Sequence, residues 1–326
     1  MISKIPVKIV AVLITVVLLV LLFTQINLED VITTLKNINP GYLIAGFILY
    51  TFSYFFRAWR FYILLNAEVG LRDLFNIVCV HNAINSLLPA RTGELSYIYL
   101  LKKINNKTTG DGIATLVVSR IFDFIALIFL FFIATILVKD IPAFIMAVLW
   151  IIAGFTLFLL IILIVLLTTG KKFVLLTQKT AETLQIEKNR GVNYLIRKEF
   201  ETVESLDKIQ MKKSMPTLIV SSLLIWLVNY FLVYIIMVGL NFQISLLFVV
   251  LGGTFIVLTS ILPIQGIAGF GTTEAVWTLV FVPLGLSINQ AIISGFCFHI
   301  IMILYFSVLG IYGAIKIKAW KNLSGI

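Results

Sequence analysis

Pro89-Ala-Arg-Thr-Gly-Glu94 and Pro263-Ile-Gln-Gly-Ile-Ala-Gly-Phe-Gly-Thr-Thr-Glu274 are two versions of one pattern. Each interrupts an apolar region with a helix-breaking proline and glycine, and each puts a carboxylate just past the break. Broken apolar helices at corresponding places in two halves of a chain are the sequence sign of a binding site between membrane repeats.

The surroundings support a membrane setting. Hydrophobic residues make up 60% of the chain, charged residues 12%, and mean hydropathy is +1.09. A soluble chain of 326 residues could not cover its surface with so few charges, which excludes an ordinary soluble enzyme or binding module. The apolar runs lack the alternation of barrel strands and are long enough for helices. Six spans are predicted, at Pro6–Phe23, Tyr42–Leu65, Gly112–Val138, Pro142–Thr169, Met215–Leu240 and Ala291–Ile315. Lys4 and Lys8 precede the first as in a signal peptide, but no small-residue cleavage site follows, so it is read as a retained span.

The net charge of +10 is a matter of topology and not a nucleic-acid footprint. Of the 25 lysines and arginines, only Lys36 and Lys139 fall in loops on one side, and Arg57, Arg60, Arg91 and Arg120 lie in or beside apolar segments. The rest collect before the first span, between the second and third, between the fourth and fifth, and after the sixth. By the positive-inside rule both termini are cytoplasmic. The expected localisation is a multi-pass protein of the cell membrane.

Both halves follow one plan: span, connection, span, broken segment, span. The first repeat is read as 1–140 and the second as 141–326, with broken segments at Leu74–Leu101 and Ile244–Leu286. If each broken segment re-enters and returns, each half crosses an odd number of times and the halves are inverted. The expected fold is therefore an all-α integral membrane protein with six transmembrane helices and two re-entrant helical hairpins in an inverted repeat. The polar region 171–213 carries Ile196, Phe200, Val203 and Leu206 at helical spacing, which predicts an amphipathic helix on the cytoplasmic leaflet.

Ionisable residues inside apolar segments are the functional candidates. Arg57 and Arg60 share a helix face, either snorkelling to lipid phosphates or clamping a headgroup. Arg120 and Asp123, also three apart, form either a self-neutralising pair or a pair that lends Arg120 to an anion. Arg91 and Glu94 flank the first break, and Glu274 follows the second. Capping of the following helix explains both glutamates as readily as a cavity lining does. Asn82 and Asn85 share a face leading into the first break, beside His81, and serve either interhelical hydrogen bonds or a polar cavity. Cys79-Val-His81 and Cys297-Phe-His299 resemble metal pairs, but residues two apart on a helix point away from each other. No metal, cofactor or dinucleotide site is expected.

At these residues the chain resembles the lysylphosphatidylglycerol synthase transmembrane (flippase) family, which includes the membrane part of bacterial multiple peptide resistance factors and shorter bacterial and archaeal proteins. The matching stretches are Arg57-Ala-Trp-Arg60-Phe, Asn85-Ser-Leu-Leu-Pro-Ala-Arg-Thr-Gly-Glu94, Arg120-Ile-Phe-Asp123, and Pro263 to Glu274. Together they reach from the second span to the last. Many members carry arginine where this chain has Tyr97 and His299, and an acidic residue where it has Ser119. The family's aminoacyltransferase domain does not follow, so a complete lysyl-lipid synthase is not expected.

The resemblance implies a lipid translocase that is not itself an enzyme. Arg57, Arg60, Asn82, Asn85, Arg91, Glu94, Arg120, Asp123, Glu274 and His299 would form its substrate site. Its partner would be a phospholipid or polyprenyl-phosphate lipid in the membrane, and a homo-oligomer is compatible with the chain. Transport would be passive or ion-coupled through the glutamates, since no ATP-binding loop is visible. Two rivals stay open: an integral-membrane transferase acting on such a lipid, and an ion or small-solute carrier. The topology has its own test. Asn106-Lys-Thr108 and Asn322-Leu-Ser324 are glycosylation sequons expected on the cytoplasmic face, so neither should be modified in a eukaryotic host. A glycan at either one, seen as an endoglycosidase-sensitive mass shift, refutes the orientation.

Overall fold

The computed structural model describes residues 7–88, 93–138, 143–184, 189–209, 211–259 and 267–324. Among these residues the chain forms twelve α-helices and one 3-10 turn, with no strand. The first six are α1 (Val7–Phe23), α2 (Leu28–Lys36), α3 (Pro40–Leu64), α4 (Leu71–Leu87), α5 (Glu94–Asn105) and α6 (Thr109–Leu137). Then come α7 (Ala143–Thr183), α8 (Arg190–Lys208), α9 (Met211–Gly239) and α10 (Leu246–Thr259). The 3-10 turn (Ile267–Gly269), α11 (Thr272–Phe281) and α12 (Ile288–Ser324) complete the chain.

Local sequence sets several boundaries. Asn39 caps α3 by accepting from the Gly41 N–H at 2.8 Å, with Pro40 in the first turn, where its missing donor does no harm. Thr108 and Asp111 form a reciprocal capping box at the start of α6, with hydrogen bonds of 2.9 and 3.0 Å. Asn106 closes α5 in the left-handed conformation.

By length and composition, Thr109–Leu137, Lys213–Gly239 and Ile288–Lys318 are each able to cross a membrane, and the bent pair Thr15–Phe23 and Leu28–Lys36 makes a fourth candidate. The protein is thus an all-helical membrane protein. The other expected spans coincide with α3 and α7, which are not counted by this measure. Tyrosines and two arginines dilute the hydropathy of α3. On α7, Trp150, Ile151, Leu157, Phe158, Ile164 and Val165 are all exposed, a surface suited to hydrocarbon and not to water.

The closest packing joins helices that are distant in the chain. The central helices α3 and α9 lie against each other, α4 packs on α12, and α10 packs on α6. The connectors do the same, α8 along α6 and α2 along α12. Three apolar clusters fill the interior. One joins α3 to α6, one joins α6, α9, α10, α11 and α12, and one joins α2, α9 and α12.

Two connections differ from expectation. The loop after the first span contains α2, turned 84° from α1. The segment 171–213 is not one helix, because residues up to Thr183 continue α7 and α8 then packs on α6 and α7. Val203 and Leu206 of the apolar stripe are buried, and Ser205 donates to Asp111 at 2.7 Å. Only part of the stripe, Phe200, is left exposed. The buried part of the stripe packs on protein because α6 offers an apolar face of its own.

The turn into α5 depends on one close approach. A Cβ at Gly93 would lie 2.3 Å from the Asn85 Cα and 2.5 Å from its N, so α5 begins directly against the α4 backbone. Gly93→Ala is expected to cost about 1–3 kcal/mol, as overpacking does. A lowered melting temperature of the purified protein would show it. Gly154→Ala, inside α7 where an added Cβ meets nothing within 4 Å, is the comparison and should not lower that temperature. An unchanged melting temperature for Gly93→Ala would refute the contact.

Candidate functional site

The polar residues of the first half meet where α3, α5, α6 and α9 converge. Arg60, 2% exposed, donates to both Asp123 oxygens at 2.6 and 3.1 Å and to the Ser222 hydroxyl at 2.8 Å. The Trp226 indole N–H donates to Asp123 at 3.2 Å. Only the Arg60 Nε lacks a partner in this knot. Two-pronged pairing and two supplementary hydrogen bonds are what make a buried ion pair tolerable, because they replace the water that both groups gave up.

Arg120 is held elsewhere. Its guanidinium donates to Glu94 at 2.5 Å, and it approaches Asp123 only to 4.0 Å. The sequence suggests Arg120 and Asp123 as mutual partners, yet the structure gives each a closer one from another helix. Arg120 and Glu94 are both about 30% exposed, so this pair opens to its surroundings while Arg60 and Asp123 do not. Arg57, half-buried, makes no hydrogen bond or ion pair among the described residues, although it lies within electrostatic range of Asp123, Arg60 and Arg120.

The first break itself, Pro89 to Thr92 with Arg91, lies outside the described residues. On its near side, Asn82 donates back to the Val78 carbonyl at 3.0 Å, and the Asn85 side-chain oxygen is buried without a partner. His81 Nδ1 lies 3.2 Å from the Gly93 carbonyl and 3.3 Å from Ser96 Oγ, which ties α4 to the start of α5.

The second break reads similarly, though Pro263 and Gly266 lie outside the described residues. Ala268, Gly269 and Gly271 take left-handed φ values of 50°, 81° and 79°, which turns the chain sharply into α11. Glu274, fully buried, accepts from the Gly271 N–H at 2.7 Å and pairs with His299 Nδ1 at 2.6 Å. His299 Nε2 reaches the Ala268 carbonyl at 3.0 Å. The 3-10 turn packs on α1 and on α4, the helix that leads into the first break.

The two breaks are therefore built alike. A glutamate in the first turn of the following helix, where the dipole favours a carboxylate, pairs with a basic group on the next long helix. The separations are 26 residues for Glu94 and Arg120 and 25 for Glu274 and His299. Ser222 and Trp226 are members of the cluster that sequence reasoning missed. Nothing in an apolar span distinguishes a serine or a tryptophan that faces a buried carboxylate. Among the described residues no three His, Cys, Asp or Glu side chains are grouped closely enough to hold a metal ion.

A family model described as the lysylphosphatidylglycerol synthase TM region matches residues 8–310. The chain belongs to this family. Among relatives of this lysylphosphatidylglycerol synthase TM-region chain is the UPF0104 membrane protein MJ1078 of Methanocaldococcus jannaschii. It is 29% identical over 238 residues, which is 71% of this chain and 92% of that protein. A second protein of the same organism, UPF0104 membrane protein MJ1595, is 34% identical over 116 residues, 34% of each chain. The protein named Glycosyltransferase AglD of Haloferax volcanii is 29% identical over 119 residues, which is 35% of this chain and 19% of that protein. No solved structure matches.

The Arg60–Asp123 pair gives a test of this geometry. Asp123→Ala leaves Arg60 buried with Ser222 alone, at an expected cost of about 3–5 kcal/mol. The double variant Arg60→Met with Asp123→Leu should recover most of that loss, since no charge then stays uncompensated. Thermal unfolding of the purified proteins compares them. A single variant no less stable than the double one would refute the pairing.

Proposed function

We propose that this protein moves a phosphate-bearing lipid headgroup across the membrane, as a flippase or scramblase, passively or with a coupled ion. One observation carries the reading. Within apolar helices, the guanidiniums of Arg57, Arg60 and Arg120 face the carboxylates of only Glu94 and Asp123, and Arg57 is left without a partner among the described residues. An unmatched cation in such a place calls for an anion. A guanidinium matches phosphate oxygens in pairs, as it does carboxylates.

In this proposal Arg60 and Asp123 are the frame, and Arg57 and Arg120 are the phosphate ligands. Arg91 on the first break is a third ligand, and Asn82 and Asn85 line the approach. Glu94 balances Arg120 while the site is empty. The tails stay in lipid. An apolar groove of about 850 Å³ lined by Phe47, Phe52, Phe55, Arg72 and Phe75 would take an acyl chain, with Arg72 at its polar edge. The substrate class is a phospholipid or a polyprenyl-phosphate.

We also read 1–140 and 141–326 as inverted repeats, each of three spans and one re-entrant hairpin, with cytoplasmic termini in the cell membrane. The doubled element order and the matched packing of α4 on α12 and α10 on α6 support this. Alternating exposure of a site between such repeats is how one protein serves both leaflets.

A transferase acting on the same lipids is the second reading, favoured by the relative named a glycosyltransferase, although the match covers only 19% of that protein. Fluorescent-lipid movement in proteoliposomes, read by dithionite quenching of the outer leaflet, separates the two. Arg57→Ala and Arg91→Ala are each expected to slow protein-dependent movement by about tenfold or more, the effect of losing a charge-assisted contact. Unimpaired movement by both variants refutes the phosphate site. A covalently modified lipid formed from an activated donor, with no lipid movement, would establish the transferase.

A further inference from the structure

The glutamates that follow the two breaks are held by different chemistry. Glu94 meets Arg120, which is charged at every physiological pH. Glu274 meets His299, and an imidazole is cationic only while both of its nitrogens carry protons. The distances show how many protons this second pair holds. Nε2 lies 3.0 Å from the Ala268 carbonyl oxygen, which can only accept, so Nε2 must donate. A neutral ring would then present a bare lone pair on Nδ1 to a carboxylate oxygen 2.6 Å away. Such a contact is repulsive. One more proton must lie between them, on Nδ1 or on the Glu274 oxygen.

We propose that Glu274 and His299 together form a proton-binding site, and that its loading locks the second break in the conformation described here. Proton binding stands on the geometry of the pair alone, and only its link to lipid movement rests on the translocase reading. When the proton leaves, one ring proton remains for two acceptors. The carboxylate is the stronger acceptor and takes it. Nε2 then turns a lone pair toward the Ala268 carbonyl, and that bond is lost. The turn through Ala268, Gly269 and Gly271, all at left-handed φ, is thereby released from its side-chain anchor. Because it packs on α1 and α4, the release reaches the helix leading into the first break.

Few other ionisable groups surround the pair. On α12, Cys297 donates to the Val31 carbonyl and Tyr305 to the Leu43 carbonyl. Helix α4 carries Cys79 and His81, both buried, together with Arg72 and Asp73 in its first turn. The charged residues of α2, Glu29, Asp30 and Lys36, are all exposed. Glu274 is the sole ionisable residue of α11, and the part of α1 against Gly271, around Thr15 and Leu18, has none.

The full chain in phosphatidylglycerol nanodiscs, labelled with ring-15N histidine, provides the test. With only two histidines in the chain, His81→Gln leaves the His299 signals alone. Between about pH 5 and about pH 9 these signals are expected to pass from a two-proton to a one-proton pattern. Glu274→Gln should abolish or displace that change, because an amide donates to Nδ1 at any pH. A His299 ring that stays constant, or one that titrates identically in the Glu274→Gln variant, overturns the site. In vesicles of the same lipid, movement of fluorescent phosphatidylglycerol should rise by up to about tenfold per pH unit along the titration, the slope of a one-proton linkage. His299→Arg, permanently loaded, should keep the low-pH rate throughout. A titrating His299 with lipid movement flat in pH overturns the lock. Absence of lipid movement at every pH overturns the translocase reading and leaves proton binding to the nitrogen spectra.

Discussion

A buried ion pair between Arg60 and Asp123 is the constraint around which the first half is arranged. Both groups have left water, and neither can be lost without stranding the other. The pair joins α3 to α6, and the hydrogen bonds from Arg60 to Ser222 and from Trp226 to Asp123 bring in α9. Three long helices are thus fixed at one point by directional contacts, in a bundle otherwise packed by non-directional apolar contact. Once α3 is fixed there, Arg57 is placed about one turn away on a neighbouring part of the same face. The buried pair thereby determines where Arg57 is presented.

The breaks solve one geometric problem in two ways. Both must start a helix amid apolar neighbours with a carboxylate in its first turn. The first does so by close approach, with Gly93 pressed on the Asn85 backbone at an ordinary helical φ of −63°. The second uses three departures into left-handed space, at Ala268, Gly269 and Gly271. The start of α5 is held by backbone contact with α4. The second is held by a side chain, His299 on α12, through its contact with the Ala268 carbonyl.

Much of this was legible in the sequence for identifiable reasons. Length and hydropathy set the helical membrane class, and proline beside glycine marked both breaks. The amphipathic stripe through Val203 and Leu206 was equally visible, but amphipathicity says only that a face is buried and not whether lipid or protein buries it. The partner of Asp123 was hidden for a related reason. Arg120 is three residues away and Arg60 is 63 residues away, and sequence spacing favours the local candidate. The pairing of Glu274 with His299 was hidden too, although the placing of each residue beside a conspicuous motif was not.

Helix α1 lies against the second break. Its principal contacts are with the second break, on α11 and the 3-10 turn, and a Cβ on Gly271 would lie 2.9 Å from the Leu18 Cβ. Below that seam α2 turns off at 84° and is secured to α12. At its foot α1 is also held to α12, where Phe23 stacks on Phe296. In the proposed translocase, displacing α1 would uncover the second break, so this helix is the part of the chain that covers it.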